Sequence, residues 1–192
     1  RKPPTASARC SPTFSLPESR LQDMRITRLL LSAIVASVVL LTASCDKVDN
    51  HRLPPANVNI LFNTIGDWQL YGVSGAGQTR DFIRQESQPA GYPYKAGEYT
   101  GFGGVMLVCD PNGEYLAFDL ACPVEKKADI RVKYDTESTI AGIVKCPECG
   151  STYNIYAGGT AYGGEALKMK YGLEPYHVFV GSPTPPYAYI RR

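Results

Sequence analysis

Histidine is nearly missing: the 192 residues hold two, His51 and His177. That scarcity removes most routes to general acid–base catalysis and to imidazole-ligated metal sites. No Ser/His/Asp grouping and no carboxylates at metal-ligand spacing stand in for them. The chain therefore reads as a non-enzyme, with no candidate catalytic residues. A sustained helical stripe is absent too, as is a convincing internal repeat. The glycine pairs at 158–159 and 163–164 lack the helix and the Lys-Ser/Thr of a phosphate loop, so they are read as turns. Charge of one sign is not in excess: the net charge is +2, and nothing points to nucleic acid as a partner. No apolar run reaches the roughly 20 residues of a membrane span.

The longest such run, Leu29 to Leu41, follows Met24, Arg25 and Arg28. Its length is that of a signal-peptide core. It ends in Thr42, Ala43, Ser44 and Cys45, and small residues before a cysteine resemble a bacterial lipobox. The resemblance implies lipidation of Cys45, a membrane held through the lipid, and a place in the bacterial cell envelope, periplasmic or outer-membrane. Residues 1–23, with two adjacent prolines and no apolar periodicity, are expected to be a non-native upstream extension. Residues 24–44 are then the lipoprotein signal peptide, 45–56 a polar tether, and 57–192 the folded domain. Residues 1–44 carry six basic and two acidic side chains, against 14 and 16 in 45–192, so the domain itself is mildly acidic.

Short apolar runs punctuated by turn residues cover the domain. Asn57–Asn63, 104–109, 114–120, 129–134, 138–145, 152–156, 176–180 and 187–190 read as strands. So do the shorter stretches 67–71 and 166–170. Asn112-Gly113 between two apolar runs is a strong hairpin signal. Residues 73–103 are rich in Gly, Pro, Ser and Tyr and read as a long surface loop, with one helical turn at 81–85. Their Tyr92, Tyr94 and Tyr99 invite a carbohydrate-binding reading, but tyrosine is also an ordinary half-buried residue of β proteins, and that reading is preferred. The fold class expected is all-β, a sandwich or small barrel.

Four cysteines fall inside the domain. Cys122 follows one strand, and the pair Cys146 and Cys149 follows another. Two such loops at neighbouring strand ends would make one thiol-lined site. A third cysteine beside a Cys-x-x-Cys pair suits an iron–sulfur cluster, a zinc ion or a disulfide. Cys109 precedes the Asn112-Gly113 turn. At about 3.3 Å per residue it stands on the order of 20 Å from Cys122, and it is read as a core thiol. A redox dithiol at Cys146 and Cys149 is disfavoured, because such pairs open a helix and this one precedes a strand. Lys126 and Lys127 beside the first loop could guide an acidic redox partner, but a solvated loop tip is the preferred reading.

The string Phe118 to Pro123, a further hairpin, then Cys146-Pro147-Glu148-Cys149-Gly150-Ser151-Thr152-Tyr153, resembles the Rieske domain. Leu173 to Val178 is similar to that family's closing strand. The resemblance covers about residues 104–180. It implies an antiparallel β-sandwich with two cysteine-bearing loops at one exposed tip, a 2Fe–2S cluster, electron transfer and a redox protein partner. In that family a Cys-x-His loop and a Cys-x-x-His loop clamp the cluster. Here Cys122 and Cys146 match the cysteines, Val124 stands at the first histidine and Cys149 at the second. The chain most resembles the histidine-poor Rieske-like domains of bacterial envelope lipoproteins. The ligand set implied is Cys122, Cys146 and Cys149, with Glu125 or Glu148 as a fourth. A cluster-free module with a disulfide from Cys122 to Cys146 or Cys149, and a structural zinc site, remain the alternatives.

Overall fold

The computed structural model describes residues 47–192; the expected upstream extension, the expected signal peptide and Cys45 lie outside the described residues. Alternation in a strand sends successive side chains to opposite faces, and two strands of this chain use both faces for burial. They are β4 (Val105–Cys109) and β5 (Tyr115–Asp119), the hairpin joined through Asn112-Gly113. Val105, Leu107, Cys109 and Ala117 face one core, with Ile60, Phe62, Trp68 and Phe82. Met106, Val108 and Phe118 face a second core, with Val144, Tyr153 and Ile155. A strand buried on both sides has no polar face to offer, which is why 105–109 reads as a continuous apolar run.

The first core belongs to a seven-stranded sheet. With β1 (Val58–Phe62), β2 (Thr79–Phe82), β3 (Tyr99–Thr100), β10 (Pro175–Val180) and β11 (Ala188–Arg191), its order is β2-β4-β5-β10-β11-β1-β3. Every pairing in it is antiparallel. The second core is closed by a smaller antiparallel sheet, β6 (Lys133–Tyr134), β7 (Ile143–Lys145), β8 (Thr152–Asn154) and β9 (Thr160–Gly163). In the sequence the small sheet lies wholly between β5 and β10. The all-β, antiparallel expectation holds.

Three local expectations are corrected. Residues 67–71 are not a strand but part of helix α1 (Ile65–Tyr71), started by a reciprocal capping box between Thr64 and Asp67. Residues 166–170 fall largely in helix α2 (Gly164–Met169), where Ala166 turns inward while Leu167 and Met169 are exposed. Apolar residues on the solvent side imitated strand alternation there. Residues 73–103 are not one open loop. Their β2 is an edge strand of the large sheet, a turn of 3-10 helix spans Arg84–Glu86, and Tyr92 is buried. The Tyr92 ring meets Phe62, Phe82, Tyr71 and Tyr94 edge-on, and its hydroxyl donates to the buried Glu98 carboxylate at 2.9 Å. Tyr92 is therefore structural, whereas Tyr99 is exposed.

The tether, as far as it is described, is docked rather than free. Asp49 pairs in parallel with Tyr171, exchanging backbone bonds with Lys170 and Gly172. Arg52 stacks over the Tyr171 ring at 4.0 Å, and His51 Nδ1 meets the buried Glu174 carboxylate at 3.1 Å.

Candidate metal centre

One cysteine loop lies on the passage from the large sheet to the small one, and the other within the small sheet. The first, Cys122 to Lys126, leaves β5 toward the small sheet. The second, Cys146 to Gly150, joins β7 to β8. The chain before the first loop is held by Asp119, a fully buried residue. Its carboxyl accepts from the backbone N–H groups of Phe102 (2.8 Å), Gly103 (2.9 Å) and Ala121 (2.8 Å), and from the Tyr176 hydroxyl (2.7 Å). Gly103 has to be glycine: a Cβ there would stand 2.6 Å from the Ala121 nitrogen. Beyond the loop, Val132 donates to the Leu120 carbonyl and Cys122 to that of Ile130.

The three sulfurs meet as expected. The Sγ atoms of Cys122, Cys146 and Cys149 all lie within 4.8 Å of one another, and those of Cys122 and Cys149 are 3.7 Å apart. That is well beyond the 2.03–2.05 Å of a disulfide, and all four domain cysteines are free thiols. The expectation of an exposed tip is corrected. Cys122 and Cys146 are completely buried, and Cys149 alone is half-buried at the edge. The reason is the second core: both buried cysteines belong to it, together with Met106, Leu120, Tyr153 and Ala166. Cys109 belongs to the other core, beside the turn at the far end of the hairpin, as the sequence spacing implied. Glu125 and Glu148 are not part of the close group, and neither are His51 and His177.

Donors surround the sulfurs. Cys149 Sγ is 3.2 Å from Ser151 Oγ, which also accepts from the Ala166 backbone N–H at 3.1 Å. With that lone pair engaged, the Ser151 proton is free to turn toward a Cys149 thiolate. Cys122 Sγ is 3.5 Å from the Tyr153 hydroxyl. Burial, reinforced by the Cys122 sulfur, pushes the Tyr153 hydroxyl far above its ordinary pKa, so it stays protonated as a donor. Burial also pushes the Cys146 thiol up to about 12, against the backbone N–H groups of Cys149 and Glu148 that point at its sulfur. At Cys149 burial raises the pKa, but the hydrogen bonds from Ser151, Cys146 and Cys122 together hold the thiol below its ordinary value. Three soft sulfurs with preplaced donors suit a thiophilic ion, whose binding displaces the thiol protons. Ser151 and Tyr153 sat in the motif without an assigned role, since their partners appear only on folding.

A cavity of about 400 Å³ adjoins the second loop, lined by Pro147 together with Asp81, Glu86, Arg131 and Lys133. Arg131 joins separate segments: its Nη1 donates to the Glu86 carboxylate at 2.5 Å and its Nε to the Gly103 carbonyl. Burial raises the Asp81 carboxyl to about 6, with the Arg131 charge working against it. A folded pKa above the unfolded value of 3.8 means the folded state holds the proton more tightly. Stability is then full below pH about 4 and declines as pH rises through about 6. Asp81→Asn is expected to stabilise the protein at pH 7.5 by up to about 3 kcal/mol and to do little at pH 4. Urea unfolding at the two pH values checks this; an equal effect at both would refute it.

Comparison of the chain with known protein families, with curated proteins and with solved structures finds no match.

Proposed function

We propose that this domain is a metal-binding module in which Cys122, Cys146 and Cys149 hold a single thiophilic ion, of zinc type, that ties its two sheets together. One observation carries the reading: all three sulfurs fall within 4.8 Å of one another. Around one tetrahedral ion with bonds of about 2.3 Å, sulfurs stand about 3.8 Å apart, and Cys122 and Cys149 are 3.7 Å apart. A two-iron cluster gives each iron two outside ligands. Three protein sulfurs would divide two and one, and the lone sulfur would stand farther off, beyond the second iron. When bound, the ion supplies a covalent-strength link between the crossing after β5 and the β7–β8 loop. The residues themselves position the sulfurs, exclude water from two of them and offer hydrogen bonds to the thiolates.

The second reading is the 2Fe–2S electron carrier implied by the Rieske resemblance. The contacts of Cys122 with the Tyr153 hydroxyl and of Cys149 with the Ser151 hydroxyl favour it, because hydrogen bonds to ligand sulfur tune the potential of such clusters. Metal analysis of protein purified without oxygen separates the readings. About one zinc per chain and no visible absorption is the expected result. About two irons with sulfide and broad visible bands would replace it with the second reading. Metal-free protein that has lost two thiols would leave the tip-disulfide module.

A further inference from the structure

The two cysteine loops are the same turn built twice. Each starts with a cysteine leaving a strand and continues with proline, Pro123 in one and Pro147 in the other. Each closes with a backbone hydrogen bond from the fifth residue to the cysteine carbonyl: Lys126 to Cys122 at 2.9 Å, and Gly150 to Cys146 at 3.1 Å. Each fifth residue is left-handed, with φ of 55° at Lys126 and 67° at Gly150. Glycine takes that conformation freely, but lysine does so at a cost of order 1 kcal/mol or more. The first loop therefore keeps its shape against its own sequence.

In the second loop the first and fourth residues are the sulfur donors, Cys146 and Cys149. The equivalent residues of the first loop are Cys122 and Glu125. Resting on the metal-binding reading above, we infer that Glu125 is the fourth ligand: it does in the first loop what Cys149 does in the second. The third positions are excluded by their chemistry and placement. Val124 has no donor atom and packs on the second core, and Glu148 is exposed. Glu125 is half-buried, and its carboxylate stands outside the close sulfur group, so it reaches the ion by a side-chain rotation. The site becomes three thiolates and one carboxylate, with two donors from each turn. A hard, weakly held oxygen among three soft sulfurs makes this the exchangeable position of the four.

The test loads the domain with cobalt(II) and with zinc, comparing Glu125→Gln, Glu125→Cys and Glu148→Gln with the unaltered protein. Glu125→Gln should bind one ion at least about tenfold more weakly, as loss of a supporting group does in metal sites. Glu125→Cys should restore or exceed the original affinity and raise the thiolate-to-cobalt absorption by about a third, the step from three sulfur ligands to four. Glu148→Gln should change neither. Unchanged affinity in Glu125→Gln, or an unchanged spectrum in Glu125→Cys, overturns the assignment while leaving the three-cysteine site standing. Failure of the unaltered protein to bind either ion overturns the site itself. Circular dichroism of each metal-free variant shows whether any loss reflects misfolding.

Discussion

Cys146→Ala is expected to erase the stabilisation that zinc gives the protein. An ion that binds only the folded state adds RT ln(1 + [L]/Kd), about 4 kcal/mol at a free concentration 1,000 times its Kd. The unaltered domain should show that gain in urea unfolding and lose it when a chelator is added. Cys146→Ala should show neither effect. Its sulfur is fully buried, takes two backbone N–H groups of its own turn and stands within 4.8 Å of both other sulfurs. No other described cysteine is placed to replace it, since Cys109 lies in the other core. The gain should arise mainly in the small sheet, because the second loop connects two of its strands and the first leads into it. Hydrogen exchange resolved along the chain should show protection growing at 133–163 on zinc addition. An equal zinc effect in both proteins would mean that the ion sits elsewhere.

Asp119→Ala is expected to destabilise the domain by about 3–5 kcal/mol, whether or not metal is present. The carboxyl accepts four hydrogen bonds, three of them from backbone groups at Phe102, Gly103 and Ala121. Removing it leaves those buried N–H groups and the Tyr176 hydroxyl without a partner, at about 1–3 kcal/mol each before relaxation and water entry. The cost falls where it matters for the site, because Ala121 immediately precedes Cys122. Asp119→Asn should recover only part of the loss, since an amide nitrogen would face two donors and clash with one pair. A loss below 1 kcal/mol by thermal or urea unfolding would show that the network is not what holds the first loop.

Much of this architecture was open to inspection in the residues. Asn112-Gly113 between two apolar runs marks the β4–β5 hairpin, and the distance from Cys109 to that turn keeps it out of the site. The convergence of Cys122 with Cys146 and Cys149 followed from matching strand-then-cysteine segments. Shorter elements were misread where period and burial disagreed. In α2 the outward Leu167 and Met169 fall at strand-like spacing, and in α1 the Thr64–Asp67 capping box was the better signal. The repeated cysteine-proline start at 122–123 and 146–147 was also visible, but its meaning was not. Lysine at 126 hides the left-handed position that glycine announces at 150, so the two turns look unrelated until their hydrogen bonds are compared.

The order of residues alone determined that this chain builds antiparallel strands and carries its sulfur donors in two loops, because alternation, turn chemistry and spacing are local properties. Depth was decided by the tertiary structure. Whether a strand-end cysteine faces water or a core depends on what packs over it, and here a second sheet, inserted between β5 and β10, covers Cys122 and Cys146. The same covering brings Ser151 and Tyr153 to the sulfurs and makes one loop the counterpart of the other, relations between distant segments that no local pattern encodes.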